Sequence, residues 1–279
     1  MLTNKGVTVK TTKLLDISND DYHARPEISH SQLSLMRIPA LFKYHVIDGN
    51  PQSETKCKDR GSLLHILVLE PELFASTYAI APKCNKRTEI GKKTWERFVT
   101  ENAGKTVITE EEFSTARAMA DAVSAHDAAN LIFDSPLVCE KTVIWEDKET
   151  GLALRCRPDI LIPAAEAKVD IKTTKDVSPW SFAKSMATYN YITQAAFYRE
   201  GCWLGAQLEI NHDVIIAVDS KPPHLVAAYE LDANDIQWGR DQVRRWIDAY
   251  LDCKAKDHWP GYEGIQQISL PRYATQGDE

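Results

Sequence analysis

The sequence RPDI at positions 157–160, followed by VDIKTT at positions 169–174, places charged side chains inside two apolar segments. Val, Ile and Leu are the most common residues around both segments, which predicts neighbouring β-strands. A buried carboxylate is costly unless it is paired, hydrogen-bonded or bound to a metal, and two of them on adjacent strands repel each other. The pattern therefore predicts a divalent cation between these strands.

Side chains alternate along a strand, so Asp170 and Lys172 are expected on one face and Ile171 on the other, in the core. A chain reversal at 163–166 would bring Asp159 close to Asp170, and their oxygens suit Mg²⁺ or Mn²⁺. Lys172 would then orient or deprotonate a bound water and offset negative charge on a phosphate. Alternatively, the two aspartates are ordinary strand-end residues and Lys172 pairs with one of them.

Two nearby residues bear on the same site. Pro158 predicts a bulge that aims the following aspartate, because proline inside a strand occurs at edges, ends or bulges. Glu140, at the start of the preceding strand, offers one more carboxylate, although glutamate at a strand end is also common on surfaces. Glu140 is therefore a secondary candidate for the metal site.

The periodicity of the whole chain predicts an α/β fold with a central mixed β-sheet flanked by helices and a helical N-terminal part. The helices are expected at 29–38, 41–46, 61–69, 90–101, 110–125, 178–204 (either continuous or broken near Asn190) and 232–254. The strands are expected at 139–145, 152–162, 167–173, 213–219 and 225–231, the first three as an antiparallel meander.

No Gly/Ser/Pro-rich linker interrupts this pattern, which favours one elaborated domain over residues 28–260. That domain would consist of a mostly helical part at 28–135 and a sheet core at 136–260. An irregular segment, 1–27, precedes it. A tail, 261–279, follows it and either wraps the surface or mediates assembly.

The net charge of −7, from 33 basic and 40 acidic residues, disfavours a broad basic face for nucleic acid. A local groove remains compatible with this charge, since an enzyme that gathers carboxylates can be acidic overall. The candidate DNA-contacting residues are Lys86, Arg87, Lys92 and Lys93. A solvated helix face, partly balanced by acidic neighbours, explains these four residues equally well.

Several classes of protein are disfavoured by what the sequence lacks. The N-terminal residues form no apolar run typical of a signal peptide or membrane span, so a cytoplasmic protein without a membrane partner is expected. The six cysteines stand singly, which disfavours an iron–sulfur cluster or structural zinc. No Walker-type motif appears, so no ATP-driven motor is expected.

The residues described above resemble the signature of the PD-(D/E)xK nuclease superfamily, here Pro158-Asp159 followed by Asp170-Ile171-Lys172. Two further spacings, Gly61-x-x-x-His65 and Gln194-x-x-x-Tyr198, resemble its RecB-like branch. Within that branch the chain resembles the exodeoxyribonuclease VIII (RecE-type) nuclease domain, through ISHSQL, GSLLHILVLEPELF, and the RPDI and VDIKTT pair. The resemblance covers roughly residues 28–259.

This resemblance implies that His65, Asp159, Asp170 and the carbonyl of Ile171 bind metal, with Lys172 as the catalytic lysine. On composition alone, a lone histidine in an apolar helix is more often a packed core residue than a ligand. Gln194 and Tyr198 lie one helical turn apart and share a face. They would therefore reach the active-site edge or the DNA backbone together, or simply pack.

The function implied is a magnesium-dependent, ATP-independent exonuclease of phage or prophage type that degrades linear double-stranded DNA from an end. The resemblance further implies 5′ to 3′ polarity, a homo-oligomer (a tetramer) and work alongside a single-strand annealing protein in recombination. One alternative is a RecB-like nuclease that cuts single strands or flaps. Another, of a different class, is a non-catalytic protein that binds DNA ends.

Overall fold

The computed structural model describes residues 14–51 and 56–270, apart from the side chains of residues 56–59. The helices are α1 (Asn19–Ala24), α2 (His30–Leu33), α3 (Pro39–Phe42), α4 (Lys56–Leu69), α5 (Phe74–Thr77), α6 (Glu89–Glu101), α7 (Glu110–Ser124), α8 (Asp127–Phe133), α9 (Pro179–Tyr189), α10 (Tyr191–Ala206) and α11 (Ala233–Lys256). The strands are β1 (Ile28–Ser29), β2 (Tyr78–Ile80), β3 (Thr106–Ile108), β4 (Val138–Cys139), β5 (Val143–Glu146), β6 (Ala153–Cys156), β7 (Ile160–Ile162), β8 (Ala167–Thr174), β9 (His212–Asp219) and β10 (Val226–Glu230).

A five-stranded mixed sheet in the order β10-β9-β8-β7-β4 forms the centre of the larger compact unit, residues 1–30 and 53–240. Its central pair, β8 and β9, is parallel, and the other neighbours are antiparallel. Helices α4 and α7 cover one face, and α9 and α10 pack on the other through Phe182, Ile192 and Ala196. These observations confirm the predicted α/β class with a central mixed sheet.

A β-hairpin leaves this sheet part of the way along its length. Strands β4 and β7 pair in the five-stranded sheet, whereas their continuations β5 and β6 pair in a separate three-stranded sheet with β1. Between β4 and β5, Glu140 adopts a left-handed backbone conformation with φ of 51°. Between β6 and β7, residues 157–159 interrupt the other strand of the hairpin. Proline has no N–H with which to continue a ladder, so Pro158 suits such an interruption.

The expectation of single strands at 139–145 and 152–162 was therefore wrong, because the two strands are interrupted at facing positions, Glu140 and residues 157–159. The expected helix at 29–38 also differs: Ile28–Ser29 is a short strand, and a 3₁₀ turn at Ser34–Arg37 follows α2. Of the two alternatives for 178–204, the structure has the break, at Asn190, where φ is 58°. Non-glycine residues other than Asn and Asp rarely adopt this conformation, which explains why Asn stands there.

The second compact unit consists of residues 31–52 and 241–279. The ring of Phe42 lies parallel to that of Trp259 at 5.8 Å and meets Tyr250 edge-on at 5.3 Å. The backbone N–H of Ala40 donates to the carbonyl of Pro260 at 3.1 Å. These contacts fix the chain after α11 against α3.

The expectation of one domain over 28–260 stays a prediction. Parts of the two expected flanking segments, residues 1–13 and 271–279, lie outside the described residues. Among the helices that the structure describes, none combines the length and hydrophobicity that a bilayer crossing requires.

Helix α10 lies close against β5 and β6 because two of its residues, Gly201 and Gly205, have no side chain. A Cβ on Gly205 would meet Val143 Cγ1 at 2.5 Å and the carbonyl oxygen of Ile144 at 2.8 Å. Since backbone cannot move aside as a flexible side chain does, Gly205→Ala should destabilise the protein by ~1–3 kcal/mol. Denaturant unfolding measures this change.

Gly61→Ala is the matched control, because Gly61 is also helical and a Cβ there meets nothing within 4 Å. It should be neutral or stabilising by up to ~1 kcal/mol, the difference in helix propensity. Equal effects of the two substitutions would contradict the tight contact of α10 with β5.

Candidate active site

Three potential metal ligands converge where the hairpin leaves the central sheet. His65 projects from α4, while Glu140 and Asp159 occupy the two breaks of the hairpin, with the Glu140 N–H donating to the Asp159 carbonyl at 3.0 Å. One ligand atom from each of the three residues lies within 4.8 Å of the other two. The interruption of the strands is thus what turns both carboxylates toward the same place.

Polar groups face both ring nitrogens of His65 and fix the orientation of its imidazole. Its Nε2–H donates to the carbonyl oxygen of Ile171 at 2.8 Å and lies 3.5 Å from Asp159 Oδ2. Its Nδ1 lies 3.7 Å from Glu140 Oε1. Ile171 also holds Asp159, because its N–H donates to Asp159 Oδ2 at 2.8 Å. Strand β8 therefore holds two prospective metal ligands, His65 and Asp159, through the carbonyl and the N–H of one residue, Ile171.

This donor set fits a hard divalent cation. Mg²⁺ binds oxygen ligands at about 2.0–2.1 Å, so adjacent ligands of an octahedron lie roughly 3 Å apart. The Nε2 of His65 lies 2.8 Å from the Ile171 carbonyl oxygen and 3.5 Å from Asp159 Oδ2, which are separations of this order. A cation here would take the place of the Nε2 proton, which already faces two oxygens.

The electrostatics of the cluster favour positive charge. Although burial opposes protonation, the carboxylates of Asp159 and Glu140 raise the pKa of His65 to about 9. Burial raises the pKa of Asp159 above its ordinary value, despite the opposing charges of His65 and Lys172. A carboxylate whose ionisation is this costly gains most from a cation beside it.

Asp170 and Lys172 project from the face of β8 that α9 and α10 cover, as the alternation predicted. Lys172 Nζ donates to Asp170 Oδ1 at 3.3 Å, and the other carboxylate oxygen accepts from Lys168. Burial opposes ionisation, yet Lys168 and Lys172 together hold the pKa of Asp170 well below its usual range. Asp170 is thus a permanent anion paired with two ammonium groups, beside the cluster of His65, Glu140 and Asp159.

A chain of buried charges continues from Asp170 away from the cluster. Lys168, which is fully buried, also lies 3.4 Å from Asp213 on β9, and Arg199 Nε on α10 donates to Asp213 at 2.9 Å. Sequence reasoning missed Lys168, Asp213 and Arg199. The signal was present for Lys168, since it stands two residues before Asp170 and so shares its face.

Gln194 and Tyr198 lie beside the buried charges rather than in the cluster of His65, Glu140 and Asp159. Gln194 Nε2 donates to the Tyr198 hydroxyl at 3.2 Å, which confirms their common helix face. Tyr198 is buried, and its ring centroid lies 5.7 Å from Lys168 Nζ, so it packs against the buried charges.

The basic stretch is exposed before and within α6. Lys86 Nζ sits 2.9 Å from the centroid of the Trp95 ring, and Lys92 pairs with Glu89 at 3.3 Å. Arg87 and Lys93 are likewise exposed. No described contact links these four residues to the cluster, and their role in DNA binding stays a prediction.

Comparison with solved structures bears on the fold. A protein from Eubacterium rectale, provisionally assigned as an exonuclease, matches with a TM-score of 0.62 at 11% identity, over 94% of this chain and 99% of its own. A phage-related exonuclease from Haemophilus somnus matches at 12% identity over 86% of this chain and 89% of its own, with a TM-score of 0.38. An alkaline exonuclease from Laribacter hongkongensis matches at 13% identity over 86% and 99%, with a TM-score of 0.30. Only the first TM-score is high enough to support an argument about fold.

Comparison with curated proteins yields no match. The comparison with family models does yield one, and it confirms the expected PD-(D/E)xK relationship. Over residues 29–270 the chain matches the family described as a PDDEXK-like domain of unknown function, DUF3799, and it belongs to that family.

Proposed function

We propose that this protein is a metal-dependent, ATP-independent exonuclease that hydrolyses phosphodiester bonds of linear double-stranded DNA, with Mg²⁺ (or Mn²⁺) as its cofactor. The observation that carries the proposal is the convergence of His65, Asp159 and the Ile171 carbonyl around one proton position, beside Lys172. The family and the fold of the Eubacterium rectale protein support a nuclease of this kind. A 5′ to 3′ polarity, a homotetramer and a role beside an annealing protein in recombination are part of the same proposal.

The metal would be held by His65, Asp159 and the Ile171 carbonyl, with Asp170 as a further carboxylate ligand. When bound, a divalent ion supplies positive charge against a phosphate oxygen and a more acidic water. Glu140 lies on the Nδ1 side of the imidazole and fixes the ring, as a carboxylate behind a liganding histidine commonly does.

Lys172 acts as a fixed positive charge. Burial would lower its pKa, but Asp170 and Asp159 raise the pKa of Lys172 above its ordinary value. Its ammonium group therefore donates hydrogen bonds to the scissile phosphate rather than removing a proton from water. Such donors stabilise the charge that develops on the phosphate as water attacks and the ester bond breaks.

The central test is the choice of substrate. With Mg²⁺ the protein should shorten linear duplex DNA progressively and leave closed circles intact, and EDTA should abolish the reaction. Asp159→Asn removes one ionic ligand but keeps an oxygen for the Ile171 N–H, so it should reduce the rate at least ~100-fold while the protein stays folded. Gel analysis of labelled ends and thermal melting measure the two effects.

Asp121→Asn, on the exposed surface of α7, serves as the control and should cleave at the wild-type rate. Cutting of closed circles would exclude a strict exonuclease. Preference for single strands or flaps would favour the RecB-like alternative. Binding of duplex ends without any metal-dependent product would favour the non-catalytic alternative.

Metal affinity should depend on pH through His65. Because its pKa is raised to about 9, the imidazolium predominates at neutral pH and must lose a proton before the metal binds. Mg²⁺ affinity should therefore rise up to ~10-fold per pH unit from pH 7 and level off above about pH 9. Calorimetry in two buffers of different ionisation enthalpy measures the proton released.

His65→Gln removes the titrating group, so its weaker Mg²⁺ binding should lose most of this slope. An affinity of the wild-type protein that is constant between pH 7 and 9 would remove His65 from the ligand set.

The exposed basic stretch gives a prediction for DNA binding. Replacement of Lys92 and Lys93 by Gln should weaken binding and lower the slope of log K against log salt by up to ~2, since each phosphate contact contributes about 0.9. Fluorescence anisotropy at several salt concentrations measures the slope. Replacement of Lys148 and Lys221 by Gln, which removes two exposed charges elsewhere, controls for net charge. An unchanged slope in the Lys92 and Lys93 variant would rule the stretch out.

A further inference from the structure

A ladder of four aromatic rings runs from the core to the surface beside Lys172. Tyr229 stacks on Phe182 at 5.2 Å, Phe182 lies 6.2 Å from Tyr191, and Tyr191 stacks on Tyr189 at 5.9 Å with an angle of 26° between the rings. The first three rings belong to the cluster that packs α9 and α10 on the sheet. Tyr189, the last, is 64% exposed.

The backbone explains why the last two rings meet. Tyr189 ends α9 and Tyr191 begins α10, and between them Asn190 adopts the left-handed conformation. Residues two apart on a continuous helix point in different directions, so the break is what allows these rings to stack. Tyr189 is thereby held at a fixed place although most of its surface faces solvent.

The ladder adjoins the site through Lys172. Its Nζ lies 5.4 Å from the centroid of the Tyr191 ring, and Tyr189 is the next ring outward. A phosphate that reaches the ammonium of Lys172 therefore brings its neighbouring nucleotide toward an exposed aromatic ring. Stacking on aromatic rings is how proteins hold unpaired bases whatever their sequence, since every base has a π-face.

We propose that Tyr189 is a stacking platform for an unpaired nucleobase of the strand whose phosphate lies at Lys172, with Tyr191 supporting it from behind. This assignment rests on the proposed nuclease function. Inside a duplex both faces of each base are covered by its neighbours, whereas a frayed end or a single strand offers a free face. The platform thus favours strands with separated ends over continuous duplex.

The test combines protein variants with altered DNA. Tyr189→Ala should lower kcat/KM on linear duplex by roughly 5- to 100-fold, the range that removal of a base-stacking aromatic produces. Tyr189→Phe keeps the ring and should retain wild-type activity. In a set of duplexes, each with one abasic site among the first few nucleotides, one position should slow the wild-type protein by a similar factor and leave Tyr189→Ala unaffected.

Trp203→Ala is the control, because Trp203 is also an exposed aromatic residue of α10 but lies about 18 Å along the helix from Tyr191. It should respond to abasic sites as the wild-type protein does. If Tyr189→Ala keeps wild-type kcat/KM, or loses the same factor on abasic and intact DNA, the platform is disproved and the nuclease function stands.

Binding without turnover separates the two proposals further. Anisotropy with a labelled single-stranded oligonucleotide, intact or abasic, should show tighter binding of the intact strand by the wild-type protein and no such difference for Tyr189→Ala. Absence of any cleavage together with this pattern would overturn the nuclease function and keep the platform. Absence of both would overturn the two together.

Discussion

The ionised carboxylate of Asp170, buried within the central sheet, is the constraint on which the surrounding structure depends. Its charge is compensated by Lys168 and Lys172 from the same face of β8. Lys168 is itself buried and requires a second anion, Asp213, which in turn is held by Arg199. Breaking one member of such a buried set leaves an uncompensated charge, at a cost of about 3–5 kcal/mol. The parallel pairing of β8 with β9, where Lys168 lies opposite Asp213, and the packing of α10 are therefore coupled to the charge of Asp170.

The site itself owes its geometry to the broken hairpin. Had 139–145 and 152–162 formed continuous strands, their side chains would have alternated between the two faces of one sheet. The breaks at Glu140 and at residues 157–159 remove both carboxylates from that alternation and direct them to His65. The backbone of Ile171 then holds both Asp159 and His65, so these candidate ligands are positioned by the N–H and the carbonyl of a residue in a central strand rather than by a loop. Groups held by the backbone of a strand are placed more precisely than groups held by a loop.

Much of this arrangement could be predicted from local patterns. The apolar strands, the helix at 61–69, the break at Asn190 and the common face of Asp170 and Lys172 follow from periodicity and residue type. The division of the hairpin between two sheets could not be predicted, since it depends on which strands pair, and Pro158 indicated only a local distortion. Lys168 was not predicted, although alternation places it on the same face as Asp170. Asp213 and Arg199 come together only through the parallel β8–β9 register and the position of α10.

The net charge of the cluster and of the buried ion pairs beside it bears on the proposed chemistry. Four carboxylates, at Glu140, Asp159, Asp170 and Asp213, face three permanent cations, at Lys168, Lys172 and Arg199. Protonated His65 makes the group neutral, which is consistent with its raised pKa. If a divalent cation replaced the imidazole proton, this set of groups would gain one positive charge, equal in magnitude and opposite in sign to the charge of one phosphodiester. In the proposed function, the metal-bound set of these groups would therefore be matched in charge to a single phosphate, whereas the protonated set would not.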